Sequence, residues 1–488
     1  MRVAGDGTIA RTPHPMTLGS ALEHRFITTD YSEALLEFVT PPVGSSWEAA
    51  QFLCDLHQYT HAAIGDEILW PMSMPCRIES DADVPIAQYG SSNVGRMKNV
   101  YRRGLGYRYG RRMQAIAGIH FNYSPPEAFW PLFHELEASQ DELTQFRSAA
   151  YMSLVRNIRR FGWLLSYLMG ASPAIAKPFP DMGHFGLMDL GADTIYGPYA
   201  TSLRMSDLGY QHSNQAAISV SANSIDEYIA DLVRAVRTPS ADYEQIGIKE
   251  GDEYRQLNTN LLQIENEYYG TIRPKRVARS GERPTSALLR GGVEYVELRS
   301  LDISPFDPVG INQQQIRFLE AFLVYCLLED SPPIGEAERL ANSANHAAVA
   351  VEGRRPGLQL QRSDGAVDLT DWAQRICARI LDVAALLDAG RSNGTVAAVE
   401  AQMCAIEDST LTPSARMIAE LEDTGQSFLD YAMSTGREYA DYFRAMDAEL
   451  NTNWQMLVNE SRESLERQAA IEAADTLSFD QYVEKYCA

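Results

Sequence analysis

A chain of 488 residues with 45% hydrophobic content carries enough apolar material for a large core, in two domains or one elaborated domain, because single cores seldom grow much beyond roughly 300 residues. The formal net charge of −23 and a pI near 4.8 argue against duplex nucleic acid or an anionic membrane as principal partner. Six cysteines without a CxxC pair suit neither a zinc site nor a disulfide scaffold, so they read as reduced thiols in the cytosol.

The N-terminus, MRVAGDGTIA, lacks the basic and apolar regions of a secretory signal, which points to a cytoplasmic protein. Residues 45–64 open on a capping box, Ser45 to Glu48, and place Phe52, Leu56, Tyr59 and Ala63 on one side of an amphipathic helix. Between about residues 85 and 300, Gly- and Tyr-rich loops alternate with short runs of period two, the pattern of an antiparallel sheet with helices on one side. In GIHFNYS, 118–124, the period places His120, Asn122 and Ser124 on one face and Ile119, Phe121 and Tyr123 on the other. The apolar stretch 161–176 is interrupted by Ser166, Gly170 and Pro173 and falls short of the ~20 residues a membrane span requires, so it reads as core. QIENE, 263–267, is predicted as a strand with Gln263, Glu265 and Glu267 on one face. RGGVEYVELRSLD, 290–302, is predicted as a strand with Val293, Tyr295, Glu297 and Arg299 facing one way and Val296 and Leu298 the other. Helical periodicity begins at 311–330, DSPP at 330–333 is a break, and the remainder reads helical to the end, with Thr412 and Pro413 as N-cap and first residue of one helix. The resulting division is 1–310, a sheet domain, and 311–488, a mostly helical part packed on it.

Carboxylates and a histidine on separate segments that could ring one pocket suggest metal-assisted phosphoryl chemistry. Asp30, Glu37, His120 and Glu297 are candidate ligands, since Mg²⁺ and Mn²⁺ take oxygen donors and Mn²⁺ tolerates an imidazole. Taken singly, each is an ordinary polar side chain on the solvated face of a sheet. Basic residues cluster between Arg96 and Arg112, with Lys98, Arg102, Arg103, Arg108 and Arg111 between, and again in RPKRVAR, 273–279; these suit a local anion site or a basic surface stripe equally. No GxxxxGK[ST] or GxGxxG motif occurs, so any nucleotide would be held by metal and arginines. Tyr89, Tyr101, Tyr210, Tyr268 and Tyr269 would supply apolar walls with hydroxyl handles. GxSxG is missing and Cys54 lies near His57 only within the amphipathic helix, which disfavours a nucleophilic hydrolase.

In order and spacing, WPMSMPC at 70–76, AQYGSSNVGRMKNVYRRGL at 87–105, GIHFNYS, FGWLLSYLMGASPAI, PYATSLRMSDLGY at 198–210, IRPKR and LLRGGVEYVELRSLD resemble the proteobacterial type of glutamate-cysteine ligase. The resemblance runs from Met1 to about residue 330 and more loosely beyond. It implies an α+β fold like the catalytic domain of glutamine synthetase, an antiparallel sheet curved into a funnel with helices outside. It also implies that ATP phosphorylates the side-chain carboxylate of glutamate and that the amine of cysteine displaces phosphate, with Mg²⁺ or Mn²⁺ bound. The acidic charge, and not the resemblance, is what sets aside a nucleic-acid or membrane partner, and a monomer is the expectation although the sequence does not reveal the oligomeric state. Carried over by motif, Asp30, Glu37, His120 and Glu297 are similar to metal ligands, and Arg299, beside Glu297, to the catalytic cation at the transferring phosphoryl group. Tyr101, Arg102, Arg204, Tyr210 and Tyr269 resemble substrate-binding residues, and Arg273 and Lys275 residues that hold nucleotide phosphate. In the family a Glu-x-Glu-Thr-Leu-Arg motif with two further metal-binding glutamates stands where this chain opens at Met1-Arg2-Val3, so weak activity or none is expected of this form. Competing readings are a related carboxylate-amine ligase with another acceptor and a non-catalytic glutamate- or nucleotide-binding relic.

Overall fold

The computed structural model describes residues 1–177, 179, 186–208, 218–279, 281–390 and 394–487. Helices predominate and the antiparallel pairing is divided among small sheets, an α+β arrangement. The sheet that matters for the site has three strands in the order Ile272–Lys275, Tyr295–Leu301, Ile119–Tyr123, all antiparallel. Its central strand sets Glu297 opposite Arg273 on one side and Asn122 on the other. A bulge between Leu298 and Leu301 inserts one extra residue opposite the strand Ile119–Tyr123, a device that re-aims side chains at the rim of a sheet.

Alternation works as expected on these strands. Val296 and Leu298 are fully buried, and Ile119, Phe121 and Tyr123 pack on the same core, while His120 and Asn122 face outward. Val293 departs from the expectation: it is buried with Val296 and Leu298. The reason is local. The helix Pro284–Gly291 runs through the start of the predicted strand and ends at Gly292, φ +68°, so the pleat begins only at Tyr295. A Cβ on Gly292 would lie 2.3 Å from Ser148 Oγ, which leaves that turn to glycine.

QIENE is not a strand. Glu265–Glu267 is a 3₁₀ turn, because the Gln263 amide donates to Glu267 and the Gln263 side chain accepts from the Leu257 amide at 3.0 Å, so side chains take the bonds a ladder would need. Gln263, Glu265 and Glu267 are nonetheless all buried, with Thr285 donating to Glu265 at 2.8 Å.

The helix Ser46–Ala63 starts at Ser45, whose hydroxyl accepts from the Glu48 amide, and buries Phe52, Leu56 and Tyr59. The stretch 161–176 is core, as the helix Trp163–Met169 and the strand Ala174–Ala176. The helix Gln313–Leu328 follows, capped by Asn312, and the break at DSPP separates it from the helix Glu336–Glu352. Thr412 and Pro413 begin the helix Pro413–Thr424 as expected, with Met417, Ile418 and Leu421 buried. The remainder is not wholly helical: an antiparallel pair, Gln359–Arg362 with Gly365–Asp368, interrupts it. Asn345 holds that pair by donating from Nδ2 to the Gln361 carbonyl and accepting from its amide, bonds that a solvated helix would not supply. Among the described residues no helix is long and apolar enough to cross a membrane, and Cys54, Cys76, Cys326, Cys377 and Cys404 are free thiols.

The C-terminal helices reach the N-terminal segments. Glu460 accepts from Arg25, Ser464 from the Ser20 amide, and Phe443 of the helix Phe428–Ala445 is stacked between the rings of His57 and His61. Burial drives His57 down to about 4 and His61, beside His57 and Arg444, down to about 3. Both rings are therefore neutral in the fold, while in the unfolded chain they take up protons near 6.5. The unfolded state binds more protons as the pH falls from about 6.5 toward 4, so stability is lost across that window and retained above it. Thermal unfolding is expected to show a falling midpoint from pH 6.5 to 4. His61→Phe, which keeps the stack and removes an imidazole nitrogen that has no hydrogen-bond partner, is expected to flatten part of that slope, on the order of 2 kcal/mol.

Candidate active site

The Glu297 carboxylate gathers three cations. Arg299 Nη1 donates to Glu297 Oε2 at 3.2 Å, Lys275 Nζ is 3.5 Å from the same oxygen, and Arg273 Nη1 is 3.9 Å away. Burial would push the Glu297 carboxyl up, but Lys275, Arg299, Arg273 and His120 together hold it at about 2, so it is ionised. His120 Nδ1 lies 3.8 Å from Glu297 Oε1. Burial and then the Arg299 charge press His120 down to about 3, so the contact joins a neutral imidazole to a carboxylate. With three cations to one carboxylate, this wall has surplus positive charge.

A second wall carries Asp30 and Glu37. The strands Ile27–Thr29 and Leu36–Phe38 pair antiparallel with Thr28 opposite Glu37, and the Asp30 amide donates to the Leu35 carbonyl at 2.9 Å. Asp30 is thereby on the Glu37 face, one pleat along. Burial, and then the Asp30 charge, raise the Glu37 carboxyl well above the ordinary range despite Arg102 and Arg299 nearby. Negative charge is under-compensated here. The two walls face one another closely enough for Glu37 to feel Glu297 and Arg299, and for Arg299 to feel Asp30.

Such a pairing suits a ligand that is itself a cation–anion composite. Mg²⁺ usually keeps several waters and is bound by one or two carboxylates plus substrate phosphates. Asp30 and Glu37 fit that role, the neutral His120 adds a lone pair acceptable to Mn²⁺, and the cations around Glu297 fit the phosphate. No three acidic, histidine or cysteine side chains among the described residues stand close enough together to hold a metal ion by themselves. The described residues fit a metal whose coordination the substrate completes.

The remaining residues hold these walls in place. Arg204 is buried; its Nη2 donates to the Arg299 carbonyl at 2.8 Å and its Nη1 lies 3.6 Å from Asp302. Asp302 in turn accepts from Ser172 at 2.6 Å, Ser202 at 3.0 Å and the Ala171 amide at 2.9 Å. Gly118 leaves room for that guanidinium: a Cβ there would come within 2.2 Å of Arg204 Cζ. Arg102, on the helix Asn93–Tyr109, donates from Nε to the Asp30 carbonyl and from Nη2 to the Thr29 carbonyl at 3.4 Å, and lies 4.7 Å from the Tyr89 ring. The Tyr89 hydroxyl is 2.9 Å from the Thr29 carbonyl, so Tyr89 and Arg102 clamp one turn. Tyr101 is close to Glu267, Arg102, Arg273 and Asp30, and Tyr269 OH is 3.4 Å from Met205 Sδ and close to Arg299. Tyr210 lies outside the described residues.

Asp30, Glu37, His120, Glu297, Arg299, Arg273, Lys275, Tyr101, Arg102, Arg204 and Tyr269 thus converge, but Arg102 and Arg204 spend most of their donors on backbone carbonyls and Asp302. Most of the basic clusters do not reach the site. Arg96 lies over Phe479, Arg103 pairs with Glu253, Arg112 with Asp81, and Arg276 donates to the Gly292 carbonyl. Sequence reasoning did not find Asp302 and Gly118, whose roles arise from a contact between distant segments, and it counted Arg108 only among the basic residues between Arg96 and Arg112. Arg108 and Glu267 are fully buried, their ion pair is 3.0 Å, Tyr109 donates to the same carboxylate at 2.8 Å, and Gln256 accepts from Arg108 at 2.9 Å. That pair fixes the helix bearing Tyr101 and Arg102 against the 256–267 segment.

The glutamate-cysteine ligase family matches residues 1–349 of this chain. A glutamate–cysteine ligase of Alcanivorax borkumensis is 48% identical over 492 residues, covering 100% of this chain and 94% of the relative. One of Pseudomonas putida is 47% identical, covering 100% and 93%. The crystal structure of glutamate–cysteine ligase from Francisella tularensis in complex with AMP superposes with a TM-score of 0.93 at 36% identity, over 100% of this chain and 95% of that one. A bifunctional glutathione synthetase from Pasteurella multocida shares the fold at a TM-score of 0.72 and 23% identity, over 91% of this chain and 51% of that one.

Removing one partner of a fully buried ion pair strands the other charge. Glu267→Ala is expected to destabilise the protein by about 3–5 kcal/mol, read as a lower midpoint in urea unfolding, because Arg108 would keep its burial and lose its counter-charge.

Proposed function

Since this chain belongs to the glutamate-cysteine ligase family, we propose that it joins the side-chain carboxylate of glutamate to the amine of cysteine at the expense of ATP, the first step of glutathione biosynthesis. The observation that carries this reading is the pairing of an under-neutralised carboxylate wall, Asp30 and Glu37, with a cation-rich wall around Glu297. A substrate presenting metal and phosphate together satisfies both.

In this mechanism a carboxylate oxygen of glutamate attacks the γ-phosphorus of ATP, forming the acyl phosphate and releasing ADP. The cysteine nitrogen then attacks the acyl carbon; phosphate leaves with the C–O bonding electrons and the amine sheds a proton. Asp30, Glu37, His120 and Glu297 would hold Mg²⁺ or Mn²⁺, which when bound neutralises phosphate charge. Arg299, fixed against Glu297 and with its own carbonyl held by Arg204, meets the charge that builds on the phosphoryl oxygens and the acyl phosphate. Arg273 and Lys275 hold nucleotide phosphate: Lys275 Nζ, 3.5 Å from Glu297, keeps donors available, while Arg273 Nη2 donates to the carbonyls of Asn266 and Tyr268 and leaves Nη1 to face the site. Tyr101, Arg102, Arg204, Tyr210 and Tyr269 shape the amino-acid pockets, and the acid–base demand is small because catalysis is positioning and charge stabilisation.

In the same proposal, residues 1–310 are the catalytic unit, their small sheets a glutamine-synthetase-like funnel, and residues 311–488 its helical buttress. The enzyme works as a monomer in the cytoplasm on small molecules alone.

ADP formation that requires both glutamate and cysteine, with γ-glutamylcysteine identified by mass spectrometry, tests the reading. A higher kcat/KM with another amine would replace cysteine as acceptor, and nucleotide binding with no turnover would reject the ligase. Arg299→Ala is expected to lower kcat about 10²–10³-fold, and Arg299→Lys to recover part of it, since a point charge replaces some of what the guanidinium fork supplies.

A further inference from the structure

Among the described residues, the cations facing the two walls have hydrogen-bond or ion-pair partners, with Lys98 as the exception. Arg273, Lys275 and Arg299 share Glu297; Arg204 has Asp302 and the Arg299 carbonyl; Arg102 has the carbonyls of Thr29, Asp30 and Lys98. Lys98 lies on the helix Asn93–Tyr109 three and four residues before Tyr101 and Arg102, hence on the same helix face. Its Nζ is 5.4 Å from the centre of the Tyr89 ring that Arg102 also covers, and the Tyr89 hydroxyl reaches the carbonyls of Thr29 and Asp30 at 2.9 and 3.1 Å. Lys98 therefore stands beside the turn that carries Asp30. Glu23 and Glu37 act on it electrostatically, yet among the described residues neither comes within ion-pair distance, and the ammonium has no hydrogen-bond acceptor. Burial, and then the Arg102 charge, push the amine down, so its surroundings do not reward the charge it carries.

A half-buried ammonium with three donors and only a ring face for company is incomplete. We propose that Lys98 is a substrate-anchoring residue whose Nζ donates to an anionic oxygen, phosphate or carboxylate, of a substrate bound between the two walls. This rests on the ligase reading, because ATP, glutamate and cysteine all bring such oxygens. A lysine suits the task there: it places a compact charge on a flexible stem, whereas the neighbouring Arg102 is already committed to backbone.

The test compares the full chain with Lys98→Gln and Lys98→Arg in the presence of Mg²⁺, measuring ADP release against each of the three substrates, thermal unfolding, and calorimetric binding of Mg²⁺–ATP. Lys98→Gln is expected to raise KM for one anionic substrate at least tenfold with an unchanged unfolding midpoint, and Lys98→Arg to bring that KM back at least threefold. A rise confined to ATP, with matching loss of Mg²⁺–ATP binding, identifies phosphate; a rise confined to glutamate or cysteine identifies carboxylate. All three KM values within twofold of the parent overturn the proposal, as does an effect confined to the Mg²⁺ concentration needed for half-activity. Absence of ADP formation by the parent itself would count against the ligase reading; in that case calorimetric binding alone decides, extended to glutamate and cysteine, and equal binding of Mg²⁺–ATP, glutamate and cysteine by parent and Lys98→Gln would overturn the proposal independently.

Discussion

Glu297 is the negative charge against which the cations of the site are folded. Lys275, Arg273 and Arg299 come from two strands, and all three are substantially buried; without a shared carboxylate, three such charges would repel one another and face a desolvation cost that a domain of ordinary stability could not meet. The register of the sheet places the carboxylate where it is needed, since Glu297 pairs across the ladder with Arg273 and lies two residues from Arg299 on the same face. The result still carries excess positive charge, and that excess is what an anionic substrate would use. A structure that neutralised it completely would be more stable and would bind less.

The same logic explains the supporting layer. Arg204 fixes the backbone of Arg299 and is itself oriented by Asp302, whose carboxylate is satisfied by Ser172, Ser202 and an amide. Gly118 lets the strand carrying His120 approach that guanidinium. On the other wall, Tyr89 and Arg102 clamp the turn at Asp30, while Arg108 and Glu267 hold the helix that carries Arg102. Buried polar groups of this kind tolerate little displacement, because each unpaired member costs its full desolvation. The positions of the reactive side chains are therefore determined by hydrogen bonds several residues away from the chemistry.

The C-terminal helices extend this arrangement and do not stand apart from it. Phe479 packs with Val100 and Leu257, behind the helix that presents Lys98 and Tyr101, and Glu460 anchors Arg25 close to the strand leading into Asp30. Helices distant in sequence thus back the helix that clamps the turn at Asp30 and the segment that leads into that turn.

The period-two runs at 119–123 and 295–301 determined by themselves that His120 and Asn122 share a face, as do Glu297 and Arg299, and the motif resemblance determined the family. Those features are local: a pleat alternates whatever surrounds it. The run at 263–267 misled for the opposite reason, since its amides and side chains are bonded within the loop and to Thr285 and Arg108, and period alone cannot register a competing side-chain acceptor. Val293 was misplaced because a helix ends just before it, and the hairpin at 359–368 was hidden by a run too short to outweigh its helical flanks. Only the tertiary structure decided that Glu37 lacks compensation while Glu297 has three cations, that most of the arginines in the basic clusters are occupied elsewhere, and that Lys98 is left with the Tyr89 ring but no hydrogen-bond or ion-pair partner among the described residues. Charge balance at a point depends on which distant segments the fold brings within a few ångströms, and that information is not carried by any one stretch of the chain.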